Sequence, residues 1–269
     1  MPNLRIIYDN AADRATVTAS TTSGGLIASN MQNDFKGSVH RSTGTSVTYT
    51  LTWTTGQAIS AVVLPATNLS SSATIRVRLY SDTAKTNLIK DTGAKPATAA
   101  GYITAPTTVN RFAFGEYTKS SFWFTQVNSV RAAVIDVTDT GNSAGFIDCS
   151  RLILGTYWSP KYNFEPGAVK NIIDASSNTR AQNGDLRSYV STSSEKLSFN
   201  FSLLPVEDYT ALERIINYVG VTKPILLSLQ PEEAAGIDAS HMIYGKRSNS
   251  STTYSVYKYY KSQLEIESW

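Results

Sequence analysis

Residues able to do acid–base, nucleophilic or metal chemistry are few in this chain. Histidine, whose charge changes near neutral pH, occurs twice in 269 residues, as His40 and His241, and cysteine once, as Cys149. The two histidines lie far apart, and neither has a second His, a Cys or a carboxylate at metal-ligand spacing. His40, beside Arg41 at the start of a strand, reads as structural. His241, ahead of the apolar Met242-Ile243-Tyr244, reads as packed or hydrogen-bonded. A Ser-His-Asp set is defined by geometry rather than order, so counting residues does not exclude one, but no G-x-S-x-G elbow is present. No P-loop and no G-x-G-x-x-G after a strand is present either. Glu232-Glu233 after Pro231 reads as a solvated acidic pair in a turn, and the facing acids of a glycosidase are a matter of distance that one sequence does not give. Cys149, in FIDCSRLIL, reads as a small buried hydrophobe. The expectation is a protein without catalytic residues, metal or cofactor, and not an enzyme.

Two further groups could bind rather than react. The loop Asn30–Arg41 carries Asn30, Asn33 and Asp34, hard oxygen ligands of the kind Ca²⁺ takes. One carboxylate among them makes a thin site, and Asn and Asp in a loop equally build Asx turns. Aromatic side chains offer flat faces to sugars or partners. Trp53 falls on the apolar face of its strand and reads as core. Trp123, between Phe122 and Phe124, shares a strand in which at least one ring points inward. Trp158 falls at a change of pattern and could seal two halves together. Tyr254, Tyr257, Tyr259 and Tyr260 suit either a core or a subunit interface.

Composition narrows the partners. Charged residues make up 17%, and the net charge is +3 with no run of like charges and no basic stripe. Nucleic acid is therefore not expected. Apolar runs such as Ala61 to Ala66 fall far short of a membrane span, so no membrane insertion is expected. MPNLRIIYDN lacks the apolar core and cleavage site of a secretory signal, and a lone cysteine fits synthesis in a reducing cytoplasm.

The elements that must position these residues are mostly strands. Val47, Tyr49, Leu51 and Trp53 alternate with threonines, and Ile75, Val77 and Leu79 alternate with Arg76 and Arg78, each giving one buried face. Ile59 to Leu64 is nearly continuous and reads as a central strand buried on both faces, ended by Pro65. Lys90 to Thr108 reads as a long loop. Strands are expected at Arg111–Phe114, Ser121–Thr125, Val130–Val137 and Phe146–Leu154, with a turn at Asp139 to Gly145. The pattern changes at Gly155–Pro160. Beyond it, Leu197, Phe199, Phe201 and Leu203 alternate with polar residues. PVEDYTALERIINYVG then gives one helix over 205–219, with an apolar stripe from Val206 to Val219 and Gly220 closing it. Strands follow at Ile225–Leu229, Thr253–Tyr260 and Gln263–Ile266.

The unit Ala28–Asp82 places an Asn/Asp loop, an Arg-Ser-Thr-Gly turn and three strands in an order that resembles the start of a galactose-binding-like jelly roll, as in discoidin and carbohydrate-binding modules. In such modules the region matching Asn30–Arg41 often builds a calcium site or shapes the ligand face. Arg41-Ser42-Thr43-Gly44-Thr45, Leu64-Pro65, Ala73-Thr74-Ile75-Arg76-Val77-Arg78, Gly155-Thr156-Tyr157-Trp158, Lys196-Leu197-Ser198-Phe199 and Tyr244-Gly245-Lys246 together resemble a recurrent protein of tailed-bacteriophage tail modules. His40 stands where such sequences often have Trp. The part after residue 155 is similar to the ring-forming domain of distal tail proteins. The resemblance implies a mainly β chain, with a galactose-binding-like jelly-roll β-sandwich over 1–155 and a ring-forming β-sandwich with one α-helix over 156–269. It implies a structural virion protein at the distal end of a phage tail. Such a protein forms a homo-oligomeric ring, a hexamer, that joins the tail tube to the tip or hub proteins. The alternative it implies is a tail adhesin that binds host-surface glycans.

Overall fold

The computed structural model describes residues 3–97, 112, 115–232, 235–256 and 259–269, with side chains for all but 235–236, 250 and 252–256. Strand β1 (Arg5–Ile7) comes first. A sheet of eight strands then forms from β2 (Thr16–Ala19), β3 (His40–Arg41), β4 (Ser46–Thr67), β5 (Thr74–Tyr80), β6 (Leu88–Pro96), β7 (Thr118–Thr138), β8 (Asp148–Cys149) and β9 (Ile153–Gly155). Their order is β3-β8-β4-β7-β5-β6, with β2 and β9 also on β4, and every pairing is antiparallel.

The rest of the chain gives β10 (Val169–Asp174), β11 (Ser177–Arg180), β12 (Leu186–Tyr189), β13 (Ser193–Pro205), helix α1 (Val206–Val219), β14 (Ile225–Ser228), the short helix α2 (Ala235–Ser240), β15 (Met242–Val256) and β16 (Tyr259–Ser268). The second sheet runs β1-β14-β15-β16-β13-β10, again antiparallel, and β11 pairs with β12 alone. The chain is mainly β, as its alternating patterns require. Strand β1 crosses the sequence boundary at residue 155: Ile6 and Ile7 pair with Leu227 and Leu226, and Ile6 exchanges two backbone hydrogen bonds with Trp158 at 2.8–2.9 Å.

The 22-residue β4 explains how the layers stack. Val47, Tyr49, Leu51 and Trp53 point into the first core. Register shifts between Thr52 and Ala61 then change which side chains face it. Beyond them Ile59, Val62 and Leu64 enter the same core, while Ala61 and Val63 face Ile7, Leu226, Met242 and Tyr244 of the second sheet. Ile59–Leu64 is continuous because both faces are covered. Ile225–Ser228 is continuous for the same reason: Leu226 packs toward β4, while Ile225 and Leu227 pack under α1 against Leu212, Val219, Phe199 and Phe201.

Several sequence expectations change in detail. Pro65 does not end its strand, which runs on to Thr67 as part of β4, because the buried pairing with β7 and β8 continues past it. The expected loop from Lys90 begins as β6, an edge strand whose charged residues hide its pairing with β5, and 98–111 lie outside the described residues. Of Arg111–Phe114 only Phe112 is described, and it is buried. Ser121–Thr125 and Val130–Val137 join into β7 through Ser129, whose φ of 59° lets the bulged strand continue. Phe146–Leu154 divides into β8 and β9. The helix begins at Val206 with Pro205 as its N-cap, and Gly220 closes it through its N–H to the Ile216 carbonyl. Helix α2 is a second helix, too short for a stripe to announce.

Candidate functional site

The two sheets meet through a small apolar core and three polar ties. The first tie centres on Arg151, 2% exposed. Its guanidinium donates to both carboxylate oxygens of Asp13 at 2.6 and 2.7 Å, to the Met31 carbonyl at 3.2 Å and, through Nε, to the Tyr244 hydroxyl at 3.0 Å. The Tyr244 hydroxyl in turn donates to Asp34 at 2.6 Å, and Asp34 lies 3.2 Å from Arg151. Burial alone would favour neutral Arg151; the hydrogen bonds and charges of Asp13, Tyr244 and Asp34 outweigh it and hold its pKa above the ordinary arginine value. Burial also pushes the Asp13 carboxyl and the Tyr244 hydroxyl upward. The second tie is Asp238, which accepts from Ser121, from Trp123 Nε1 at 2.8 Å and from Ser228. In the third, Lys119 Nζ bonds Glu195 and the Met242 carbonyl, each at 2.8 Å. Burial lowers the Lys119 pKa, and Glu195 opposes that shift.

A cleft of about 370 Å³ opens beside the first tie. Its lining includes Asp9, Asn10, Asp13 and Arg14, then Asp34 and Arg151, and Tyr218 and Lys223 from the end of α1 and the turn after it. Asn10 fixes its segment to β9: its amide donates to the Leu152 carbonyl at 3.0 Å and accepts from the Leu154 N–H at 2.9 Å. Gly155 permits the approach, since a Cβ there would stand 2.6 Å from the Asp9 carbonyl oxygen. Arg14 bridges Asp9 at 2.7 Å and Gln57 at 2.8 Å. Tyr8 and Tyr218 meet edge to face at 5.9 Å, and Lys223 Nζ sits 3.8 Å from the Tyr218 ring centre. Among the described residues, the two tyrosine hydroxyls and the Lys223 ammonium have no hydrogen-bond or ion-pair partner, so they are available to a ligand.

The residues singled out from sequence are dispersed. His40 is buried in the first half, with Nε2 3.0 Å from the Thr21 carbonyl and Nδ1 3.0 Å from the Tyr49 hydroxyl. A carbonyl only accepts, so Nε2 carries the proton and Nδ1 accepts from Tyr49. Burial lowers the His40 pKa. His241 is exposed and bonds the Ile237 carbonyl at 2.9 Å. Asn33 accepts from the Phe35 N–H, an Asx turn, Asn30 donates to the Val39 carbonyl, and Asp34 accepts from the Tyr244 hydroxyl. Burial pushes the Cys149 thiol up to about 12, which makes it a poor nucleophile. Glu232 is not merely solvated but pairs with Arg5 at 2.6 Å, and Glu233 lies outside the described residues. Trp53 is core. Trp158 packs on Phe201 in the second core, and the contact between halves falls instead to Trp123, Tyr157 and the Arg5 guanidinium 4.1 Å from the Tyr157 ring. Tyr260 stacks on Tyr209, Tyr259 is partly exposed, Tyr257 lies outside the described residues, and the Tyr254 side chain is likewise not described. Sequence reasoning missed Asp9, Asn10, Asp13, Arg14, Arg151, Tyr218 and Lys223. Only the exposed aromatic–cation pair on the polar side of α1 and its following turn carried a local signal.

No protein-family model matches the chain, and no curated protein matches it. Among solved structures it is similar to chitosan-binding module 1 of a chitosanase/glucanase from Paenibacillus sp. IK-5, at 15% identity and a TM-score of 0.39 over 55% of this chain and 99% of that one. It is similar to a Streptococcus pneumoniae fucose-binding module, at 12% identity and a TM-score of 0.38 over 55% of this chain and 94% of that one. It is also similar to a Ruminococcus gnavus GH29 fucosidase, at 15% identity and a TM-score of 0.39, over 57% of this chain but only 27% of the fucosidase.

Proposed function

We propose that the protein is a non-catalytic glycan-binding protein whose ligand lies in the cleft between the two sheets. The observation that carries this reading is the charge balance of a cleft that also has tyrosine faces. Asp9, Asp13 and Asp34 balance Arg14, Arg151 and Lys223, so no net charge is presented, yet the lining holds both donors and acceptors. A phosphate or nucleic acid calls for an excess of cations. A neutral sugar calls for this mixture: its hydroxyls both donate and accept, and its C–H face packs on an aromatic ring. The volume falls within the range of small-ligand sites. The test is a broad array of neutral oligosaccharides probed with the full chain, then with Tyr218→Ala and Lys223→Ala, both at the exposed rim. Binding weakened about tenfold or more by each variant, the loss of roughly 1.4 kcal/mol, is expected. No binding across the array, or binding that neither variant changes, overturns the reading.

A second reading, a subunit of a tail assembly, takes the tail from the sequence resemblance and has one structural observation in favour of assembly. Ile172 of β10, Leu186 and Tyr189 of β12 and Val190 just after it are exposed, apolar surface of a kind that assembled neighbours cover. The ring, its tail-tube and tip partners and a virion location belong to this reading. Mass spectrometry of purified tailed particles tests it, and absence of the chain from every such particle would count against it.

A further inference from the structure

Strand β10 is the outer strand of the second sheet: one edge pairs with β13, and no strand lies on the other among the described residues. Its six residues pair without a register shift, so the free edge is regular and presents backbone N–H and C=O groups to water. Beyond it, β11 and β12 continue as a two-stranded ribbon that is exposed throughout, a structure of marginal stability in water. Ile172, in the middle of β10, is 73% exposed.

We infer that the free edge of β10 pairs antiparallel with β10 of a second copy of this chain, about a two-fold axis at Ile172. The charges of the strand select that partner and that register. With the axis at Ile172, Lys170 of each copy stands opposite Asp174 of the other, on the face that also carries Ile172 against its own counterpart. Moving the axis by one residue either way sets both charges opposite uncharged residues, and a parallel pairing in register sets like against like. Lys170 has a donor to spare: its ammonium bonds Glu195 and the Ser240 carbonyl, each at 2.9 Å, and an ammonium carries three. The second sheets of two copies thereby join into one.

The test is the oligomeric state of the full chain by light scattering or sedimentation at rising concentration, with circular dichroism to confirm folding. Wild type is expected to dimerise. Asp174→Lys and Lys170→Glu should each weaken association by about tenfold or more, because each sets like charges opposite one another twice. An equimolar mixture of the two variants should recover it as a heterodimer, which a structural defect in either variant would not allow. A wild type that stays monomeric, variants that associate as tightly as wild type, or a mixture that fails to recover would each overturn the inference. So would a higher oligomer that survives both substitutions.

Discussion

The outer strands β6 and β10 solve the same problem differently. Both lie at the edge of an antiparallel sheet, and both carry exposed apolar residues. Strand β6 is guarded: register shifts interrupt its pairing with β5, Gly93 sits at a φ of 65°, Pro96 ends it, and Asp91 is pinned by Arg76 at 2.5–3.0 Å. A kinked, charged edge of this kind resists further pairing. Strand β10 has no register shift, no glycine and no proline within its paired span. Its two charges have opposite signs and are placed to satisfy a second copy.

The two edges belong to one folding unit only through the seam between the sheets, and the largest effect is expected there. Arg151→Ala leaves Asp13 and Asp34 without their cation and the Tyr244 hydroxyl without a donor. A loss of about 3–5 kcal/mol is expected, seen as a large drop in the denaturant midpoint. If the sheets are one unit, a single transition shifts; two separate transitions would divide the edges between independent bodies. A smaller effect is expected at the guarded edge. Gly93→Ala, forced into a left-handed backbone, should cost about 1–2 kcal/mol in thermal or chemical unfolding and leave self-association unchanged. Should it alter the oligomeric state, β6 and not only β10 takes part in assembly.

The smallest effect is expected at Asp91. Hydrogen bonds from Arg76 and the Gly93 N–H hold its carboxyl at about 2, below the ordinary 3.8. A depressed carboxyl stabilises the fold above the unfolded value and loses that contribution as pH falls through about 2. This pair is exposed to solvent, so Asp91→Asn should cost less than about 1 kcal/mol at neutral pH. The difference from wild type should vanish in strong acid. A difference that persists below pH 2 would mean that Asp91 acts through geometry rather than charge.

What the sequence made legible follows from where each residue's partners lie. The alternation of Val47 to Trp53 and the stripe of α1 record a single buried face, and both elements are found. The continuous runs Ile59–Leu64 and Ile225–Leu229 announce burial on both faces but not what covers them, because that depends on one sheet packing on another. Strands β10 to β12 escape notice because VKNIID, SNTR and LRSY have no core face to alternate toward. The cleft escapes for a related reason: Asp13, Asp34, Arg151 and Tyr244 come from four distant segments, and no local pattern marks a charge that will be paired only after the sheets close. Gly155 and Gly245 stand out in sequence, but their necessity does not. A Cβ at Gly245 would stand 1.9 Å from the Glu267 carbonyl oxygen, a contact that only the paired strands create.

The placement of β1 also bears on how the chain reaches this state. Its three residues are joined to their hydrogen-bonding partners in β14 through almost the whole of both sheets, since Arg5 pairs with Ser228 and Ile7 with Leu226. Closing so long a loop is entropically slow, and until it happens Ile6 and Ile7 have no core to enter while the β14 edge stays open. The rate-limiting event of folding should therefore be the capture of β1 by the finished second sheet. The species that precedes it is the one most exposed to misassembly.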